Sequence, residues 1–197
     1  MLADNGFFYI KEVFFMGEFS ITTVLHNRDG LSREQFTELF CKVMQEKGYV
    51  ATDKENSEFF RAVAFTDKWI TLVSDCPNMA QRLNMDCIRI EEVDGDFVTF
   101  DVYSDGKKDE SILIGEPYWD DNEEMGYSEP SEKVWGGFLE DGCSWEKFME
   151  AFHDDNVSEV AEMIGMNVKH IFLPEQYLEK EWELFKDDNI YFLYFRR

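Results

Sequence analysis

Three short apolar runs, separated by two Asp-Gly pairs, occupy residues 87–115. The runs read CIRIEEV, DFVTFDVY and ESILIG, and each is rich in side chains that favour strands. Asp94-Gly95 is a two-residue pair of the kind that closes a tight hairpin, and SDGKKD around Asp105-Gly106 predicts a longer hairpin loop. This unit predicts an antiparallel sheet, because consecutive strands joined by short turns run in opposite directions.

The residues before this unit predict two helices and more strands. Alternating or apolar patterns indicate strands in FSITTVLHN (19–27), EFFRAVAF (58–65) and KWITLVS (68–74). After the first of these, Ser32 and Gln35 form a capping-box pattern ahead of apolar residues at helical spacing, and Gly48 ends that helix. PNMAQRLN (77–84) predicts a second, shorter helix.

These elements together predict an α+β fold. Over residues 16–115 we expect a mostly antiparallel sheet with both helices on one face, arranged as a ferredoxin-like sandwich. Residues 134–197 predict a helical C-terminal appendage of short helices, with a fourth helix from Pro174, and then a terminal strand, IYFLYF (190–195). Since a strand this apolar rarely stands alone, we expect it to pair with the sheet and the appendage to pack on the sandwich as one integrated domain.

Residues 1–15 raise a separate hypothesis about where the natural chain starts. Lys11-Glu12-Val13 can be encoded by AAG-GAG-GTN, which reads as a bacterial ribosome-binding sequence, and Met16 follows after a short gap. If the source is bacterial, residues 1–15 are then a mis-assigned extension. The alternative is that FFYIKEVFF is a genuine strand, which its β-favouring residues allow.

The composition restricts the class of partner. The 197 residues include 42 Asp and Glu against 19 Lys and Arg, a net charge of −23. A broad negative field repels nucleic-acid phosphates and anionic lipid and attracts basic proteins; the alternative is that the charge only aids solubility. No apolar run approaches the ~20 residues of a membrane span, and the four cysteines are scattered without a C-x-x-C pair. We therefore expect a cytoplasmic protein that binds neither nucleic acid nor membrane.

The acidic stretches contain no recognisable catalytic or metal-binding motif. As a calcium loop, DVYSDGKKDESI would need oxygen ligands at its third and twelfth positions, which are Tyr103 and Ile112. His153-Asp154-Asp155 contains possible metal ligands, but a helix end followed by a new helix cap explains it better. The sequence therefore predicts no catalytic residue, no metal site and no cofactor; it leaves an enzymatic role open without favouring one.

Residues 116–133, EPYWDDNEEMGYSEPSEK, differ in character from their surroundings. They are acidic, contain two prolines and lack periodicity, which predicts a linker or a long surface loop in which Gly126 tolerates substitution. Aromatic side chains ringed by carboxylates are typical of protein-contact anchors. The predicted partner-binding residues are Tyr118, Trp119, Asp120, Asp121, Glu123 and Glu124. The alternative is that this segment docks on its own domain.

The stretch KWITLVSD…CIRIEEVDGDFVTFDVYSDGKKDE resembles small acidic α+β proteins that bacteria encode near toxin genes, including immunity proteins of polymorphic toxin systems. The resemblance covers residues 67–120 and implies an inhibitory binding protein. We therefore expect a protein that neutralises a basic partner through steric and electrostatic complementarity. Two alternatives stay open: a small-molecule-binding or enzymatic domain with a pocket between sheet and helices, and a housekeeping domain whose acidity is solvation.

Overall fold

The computed structural model describes residues 20–73, 77–93, 96–116, 126–172 and 189–197. They form an eight-stranded antiparallel sheet in the order β2-β8-β3-β4-β1-β5-β6-β7. The strands are β1 (Ser20–His26), β2 (Val50–Thr52), β3 (Phe59–Phe65), β4 (Trp69–Leu72), β5 (Cys87–Val93), β6 (Phe97–Ser104), β7 (Lys107–Gly115) and β8 (Ile190–Arg196). The helices are α1 (Arg33–Glu46), α2 (Pro77–Leu83), α3 (Glu132–Trp135), α4 (Trp145–His153), α5 (Val157–Met163) and α6 (Val168–Ile171).

The central four strands have the ferredoxin-like arrangement that the sequence predicts. β4 lies between β3 and β1, β1 lies between β4 and β5, and every neighbouring pair is antiparallel. The strands on either side of α1 in this unit, β1 and β3, therefore run parallel with β4 inserted between them. The strands on either side of α2 are separated by β1 in the same way, which makes two interleaved split β–α–β units.

Further strands extend this unit at both edges. The β6–β7 meander continues the sheet beyond β5, while β8 pairs with β3 and then with β2. The terminal strand thus returns to the sheet, as its apolar sequence predicts. Pairing with two neighbours supplies backbone partners to a strand that would otherwise expose them.

α1 begins and ends where the sequence predicts. Gln35 N donates a hydrogen bond to Ser32 Oγ at 3.3 Å, and Ser32 N donates to Gln35 Oε1 at 2.8 Å, so the capping box is complete. Gly48 follows the helix with φ of +85°, a conformation that glycine adopts at low cost. Local side-chain chemistry therefore determines both ends of this helix.

Apolar clusters cover both faces of the sheet. Val24 and Leu25 are neighbours in β1, point to opposite faces and belong to different hydrophobic clusters. The Leu25 cluster includes Phe36 of α1 and lies under α1 and α2, which cover one face as predicted. The Val24 cluster includes the fully buried Trp135 and Phe148, so the C-terminal helices pack on the other face.

The hairpin between β6 and β7 is tighter than predicted. Ser104 pairs with Lys107, which leaves Asp105 and Gly106 as a two-residue turn with φ of +51° and +73°. The expectation of a longer loop is therefore wrong, because the start of β7 is an exposed edge whose charged residues carry no alternating pattern. The Asp94-Gly95 turn, residues 1–15 and the helix predicted from Pro174 lie outside the described residues.

Candidate functional site

The six predicted partner-binding residues, Tyr118, Trp119, Asp120, Asp121, Glu123 and Glu124, lie outside the described residues, but the chain on either side of them is described.

The six residues lie in what we call the acidic segment, and the described residues on both sides of it contact the turn between α4 and α5. On the N-terminal side, Gly115 N at the end of β7 donates a hydrogen bond to Asp155 Oδ1 at 3.1 Å. On the C-terminal side, Glu129 Oε1 lies 3.5 Å from His153 Nε2. Gly115 and Glu129, on either side of the six predicted residues, therefore both contact His153-Asp154-Asp155.

The geometry of this turn follows from its residues. His153 is the last residue of α4, and the backbone N–H of Asp154 donates to the Glu150 carbonyl at 2.9 Å. Asp155 has φ of +53°, which Asp tolerates better than most residues. Asn156 then caps α5 by accepting a hydrogen bond from Glu159 N at 3.2 Å. The helix-end interpretation of this tripeptide is therefore confirmed.

Negative charge is concentrated on the C-terminal helical layer. Residues 126–172 contain ten Asp and Glu and only three lysines, with no arginine, whereas residues 20–73 contain eight acidic and seven basic side chains. The first range provides α3–α6 and the second provides α1, which lie on opposite faces of the sheet. The broad negative field that the composition predicts is therefore denser over residues 126–172 than over residues 20–73.

We define the acidic face as the exposed carboxylates of α4, of α5 and of the turn between them. They are Glu146, Glu150, Asp154, Asp155, Glu159 and Glu162. The backbone N–H of Glu146 and the Ser144 hydroxyl, which caps the same helix, hold the pKa of the Glu146 carboxyl below its usual value. This carboxylate therefore stays charged under mildly acidic conditions.

Apolar side chains are interspersed with these carboxylates. Trp145, at the start of α4, is half-buried and stacks on Phe148 with ring centroids 5.3 Å apart and planes 19° apart. Met149 and Phe152 on the same helix are also half-buried at the edge of the core. The acidic face thus combines charge with partly accessible aromatic area, the combination that protein interfaces use.

A row of polar side chains crosses the α1 side of the sheet from β1 through β5 and β6 to the edge strand β7. Thr23, Arg89, Asp101 and Ser111 are directly paired across β1, β5, β6 and β7. The Ser111 hydroxyl donates to Asp101, and Arg89 Nη1 lies 3.5 Å from the same carboxylate. Lys108 Nζ donates to Ser111 Oγ at 2.9 Å. Arg89 and Lys108 compensate the buried charge of Asp101, so this row is a network that stabilises the sheet.

This row lies next to the C-terminal flank of the acidic segment. Ser128 N donates to the Ser111 carbonyl at 2.9 Å, which fixes the flank to the edge strand β7. Burial raises the pKa of the Tyr127 hydroxyl, and the charges of Asp101 and Glu91 raise it further. Tyr127 therefore lies near the polar row and stays protonated at neutral pH.

The interlayer space over β6 holds an aromatic cluster. Phe100, Trp135 and Phe148 are fully buried, and the Trp135 ring lies 6.2 Å from Phe100 and 5.7 Å from Phe148 between ring centroids. These three rings occupy the space between β6 and helices α3 and α4. In the described ranges, no group of three or more His, Cys, Asp and Glu is placed to hold a metal ion.

Comparison of the chain with protein-family models, with curated proteins and with solved structures finds no match. None of the helices in the described part of the chain is both long and apolar enough to cross a bilayer.

Proposed function

We propose that this is a binding protein that neutralises a basic protein partner, and that the acidic face together with segment 116–129 is its docking surface. The observation that carries the proposal is the segregation of charge: ten acidic residues against three basic ones in residues 126–172, and eight against seven in residues 20–73. Charge that serves only solubility works equally well on either layer, so its higher density on one layer favours a directed interaction.

The proposed interaction has two stages. The polarised field accelerates and orients the encounter with a positively charged surface, and aromatic side chains then stabilise the complex after contact. Trp119 in the acidic segment and Trp145 beside the acidic face are the proposed anchors. The same field repels phosphate backbones, so we propose a protein and not a nucleic acid as the partner.

The inhibitory role and the location rest on two further considerations. The resemblance of residues 67–120 to bacterial immunity proteins supports inhibition of a basic enzyme as the purpose of binding. Cys41, Cys87 and Cys143 are free thiols, which supports a reducing, cytoplasmic location. Neither consideration identifies the partner, so the first experiment has to recover it.

The first experiment is affinity capture from the source organism at low ionic strength, with identification by mass spectrometry. We expect enrichment of proteins of high isoelectric point. For the chief partner, the association rate should fall steeply with added salt, because interactions between exposed charges are screened beyond ~8 Å at physiological ionic strength. If the protein captures no basic partner and retains a small molecule instead, the proposal fails.

Matched variants then test where the partner docks. Glu150→Gln with Glu162→Gln removes two exposed charges from the acidic face, whereas Glu38→Gln with Glu46→Gln removes two from α1. Both pairs change the net charge equally. We expect the first pair to slow association by about tenfold and the second to leave it nearly unchanged. Equal slowing would show that total charge, and not the acidic face, controls the encounter.

The acidic segment is tested by two separate substitutions. Neutralising Asp120, Asp121, Glu123 and Glu124 together should slow association without changing the free energy of unfolding. Trp119→Ala should leave association unchanged and speed dissociation, because a buried aromatic anchor acts after encounter. Unchanged kinetics in both variants would remove the segment from the docking surface and leave the acidic face as the tested site.

A further inference from the structure

A small cleft lies at the C-terminal end of β1. The cleft follows His26 at the C-terminal end of β1, whereas Gly115 aligns through the antiparallel register with the other end of that strand. Its volume is about 100 Å³. Its lining includes three charged side chains, Arg28, Asp29 and Asp86, and three leucines, Leu31, Leu39 and Leu83. The cleft therefore offers charge, hydrogen bonding and apolar contact within one small space.

The loops that form the cleft are held by hydrogen bonds. The buried Asn27 side chain donates to the carbonyls of Leu31 and Asp67, both at 3.0 Å, and accepts from Leu31 N at 2.8 Å. His26 N donates to the Asp86 carbonyl at 2.9 Å, which ties the two loops together. Walls held in this way do not have to reorganise when a ligand enters.

The charged groups of the cleft are only loosely paired. Arg28 Nη1 and Asp86 Oδ2 are 3.7 Å apart, beyond hydrogen-bond distance, and their side chains are 65% and 26% exposed. Each can therefore take another partner without breaking a buried ion pair. Burial first, and then the Lys68 charge, lower the pKa of His26, while Asp86 opposes the shift. The imidazole is thus neutral at pH 7, and its ring packs 5.0 Å from Trp69 and 5.4 Å from Phe138 between ring centroids.

We propose that this cleft binds a small aliphatic α-amino acid as its zwitterion. Its carboxylate pairs with Arg28 and its ammonium with Asp86, while its side chain lies against Leu31, Leu39 and Leu83. The cleft, at about 100 Å³, is smaller than an engineered cavity of about 150 Å³ that takes benzene, so it suits only a small ligand. This site is independent of the partner proposed above.

The zwitterion is favoured over simpler ligands because of what each would leave unpaired. A carboxylate without an ammonium would occupy Arg28 and leave Asp86 beside the apolar wall without its cation. An amine without a carboxylate would occupy Asp86 and leave Arg28 without its anion. Only a ligand with both charges replaces both halves of the loose pair, while its alkyl group is removed from water.

The test is a titration followed by the backbone amide NMR signals of Asn27, Leu31, Asn84 and Met85. L-alanine and L-valine are the probes, and propionate and ethylamine are matched compounds that lack one charge. We expect saturable shifts with the amino acids and at least tenfold weaker binding of the matched compounds. Arg28→Gln and Asp86→Asn should each weaken amino-acid binding at least tenfold, whereas Arg82→Gln, an exposed change outside the cleft, should not.

Two results would overturn the assignment. One is the absence of saturable shifts at these four amides with either amino acid. The other is equal binding of ethylamine or propionate, which would make the cleft a simple cation or anion site. The NMR spectrum of each variant reports folding directly, so a loss of binding through misfolding is recognised. Neither result bears on the acidic face.

Discussion

Gly115, whose N–H joins β7 to the α4–α5 turn, stands where the neighbouring backbone leaves no room for a side chain. Its φ is +104°, and a Cβ built there would lie 2.3 Å from the Asp96 carbonyl oxygen and 2.9 Å from Phe97 Cα. Both neighbours are backbone atoms, so neither can rotate away. We expect Gly115→Ala to lower the free energy of unfolding by about 2–5 kcal/mol, of which ~1–2 comes from the positive φ and the rest from displacement of β6.

Gly126→Ala is the matched control for this prediction. Gly126 also has a positive φ, +74°, but no atom lies within 4 Å of its built Cβ. Gly126→Ala should therefore lower the free energy of unfolding by only the cost of the positive φ, about 1–2 kcal/mol. The expectation from sequence that Gly126 tolerates substitution is wrong for this reason. Urea denaturation at constant m-value measures both losses. Equal losses in the two variants would refute the argument that backbone crowding distinguishes Gly115.

Three further results are expected. Phe148→Ala should cost about 3–5 kcal/mol in urea denaturation, because it empties a fully buried site at the centre of the helical layer; a loss below 1 kcal/mol would place that ring outside the core. Since the pKa of His26 is lowered from 6.5, the unfolded chain binds more protons below that pH. The free energy of unfolding should therefore fall as the pH drops through about 6.5 toward 5, and His26→Gln should flatten this slope; an unchanged slope would assign it to other groups. Calcium or a chelator should leave the melting temperature unchanged, whereas a site saturated at a hundred times its dissociation constant would add ~2.7 kcal/mol.

The features predicted correctly depend on residues close together in the chain. The α1 cap involves Ser32 and its third neighbour Gln35, and the turn after His153 involves consecutive residues. The strands of the central sheet follow from alternating or apolar patterns within four to seven residues. Hydrophobic periodicity and capping act at this range, so the ferredoxin-like unit was accessible from the sequence. The exposed start of β7 was not, because its first three residues are exposed and no burial imposes an alternating pattern on them.

The features that carry function depend on tertiary structure. Thr23 and Ser111 belong to one polar row only because three strand registers align them, and no local pattern contains that information. The contact of Gly115 with Asp155 likewise joins residues forty positions apart. The sequence determines that the charge is −23, since charge is a sum over residues. Where that charge acts depends on which face of the sheet each helix covers, and burial of two separate apolar clusters on opposite faces decides this.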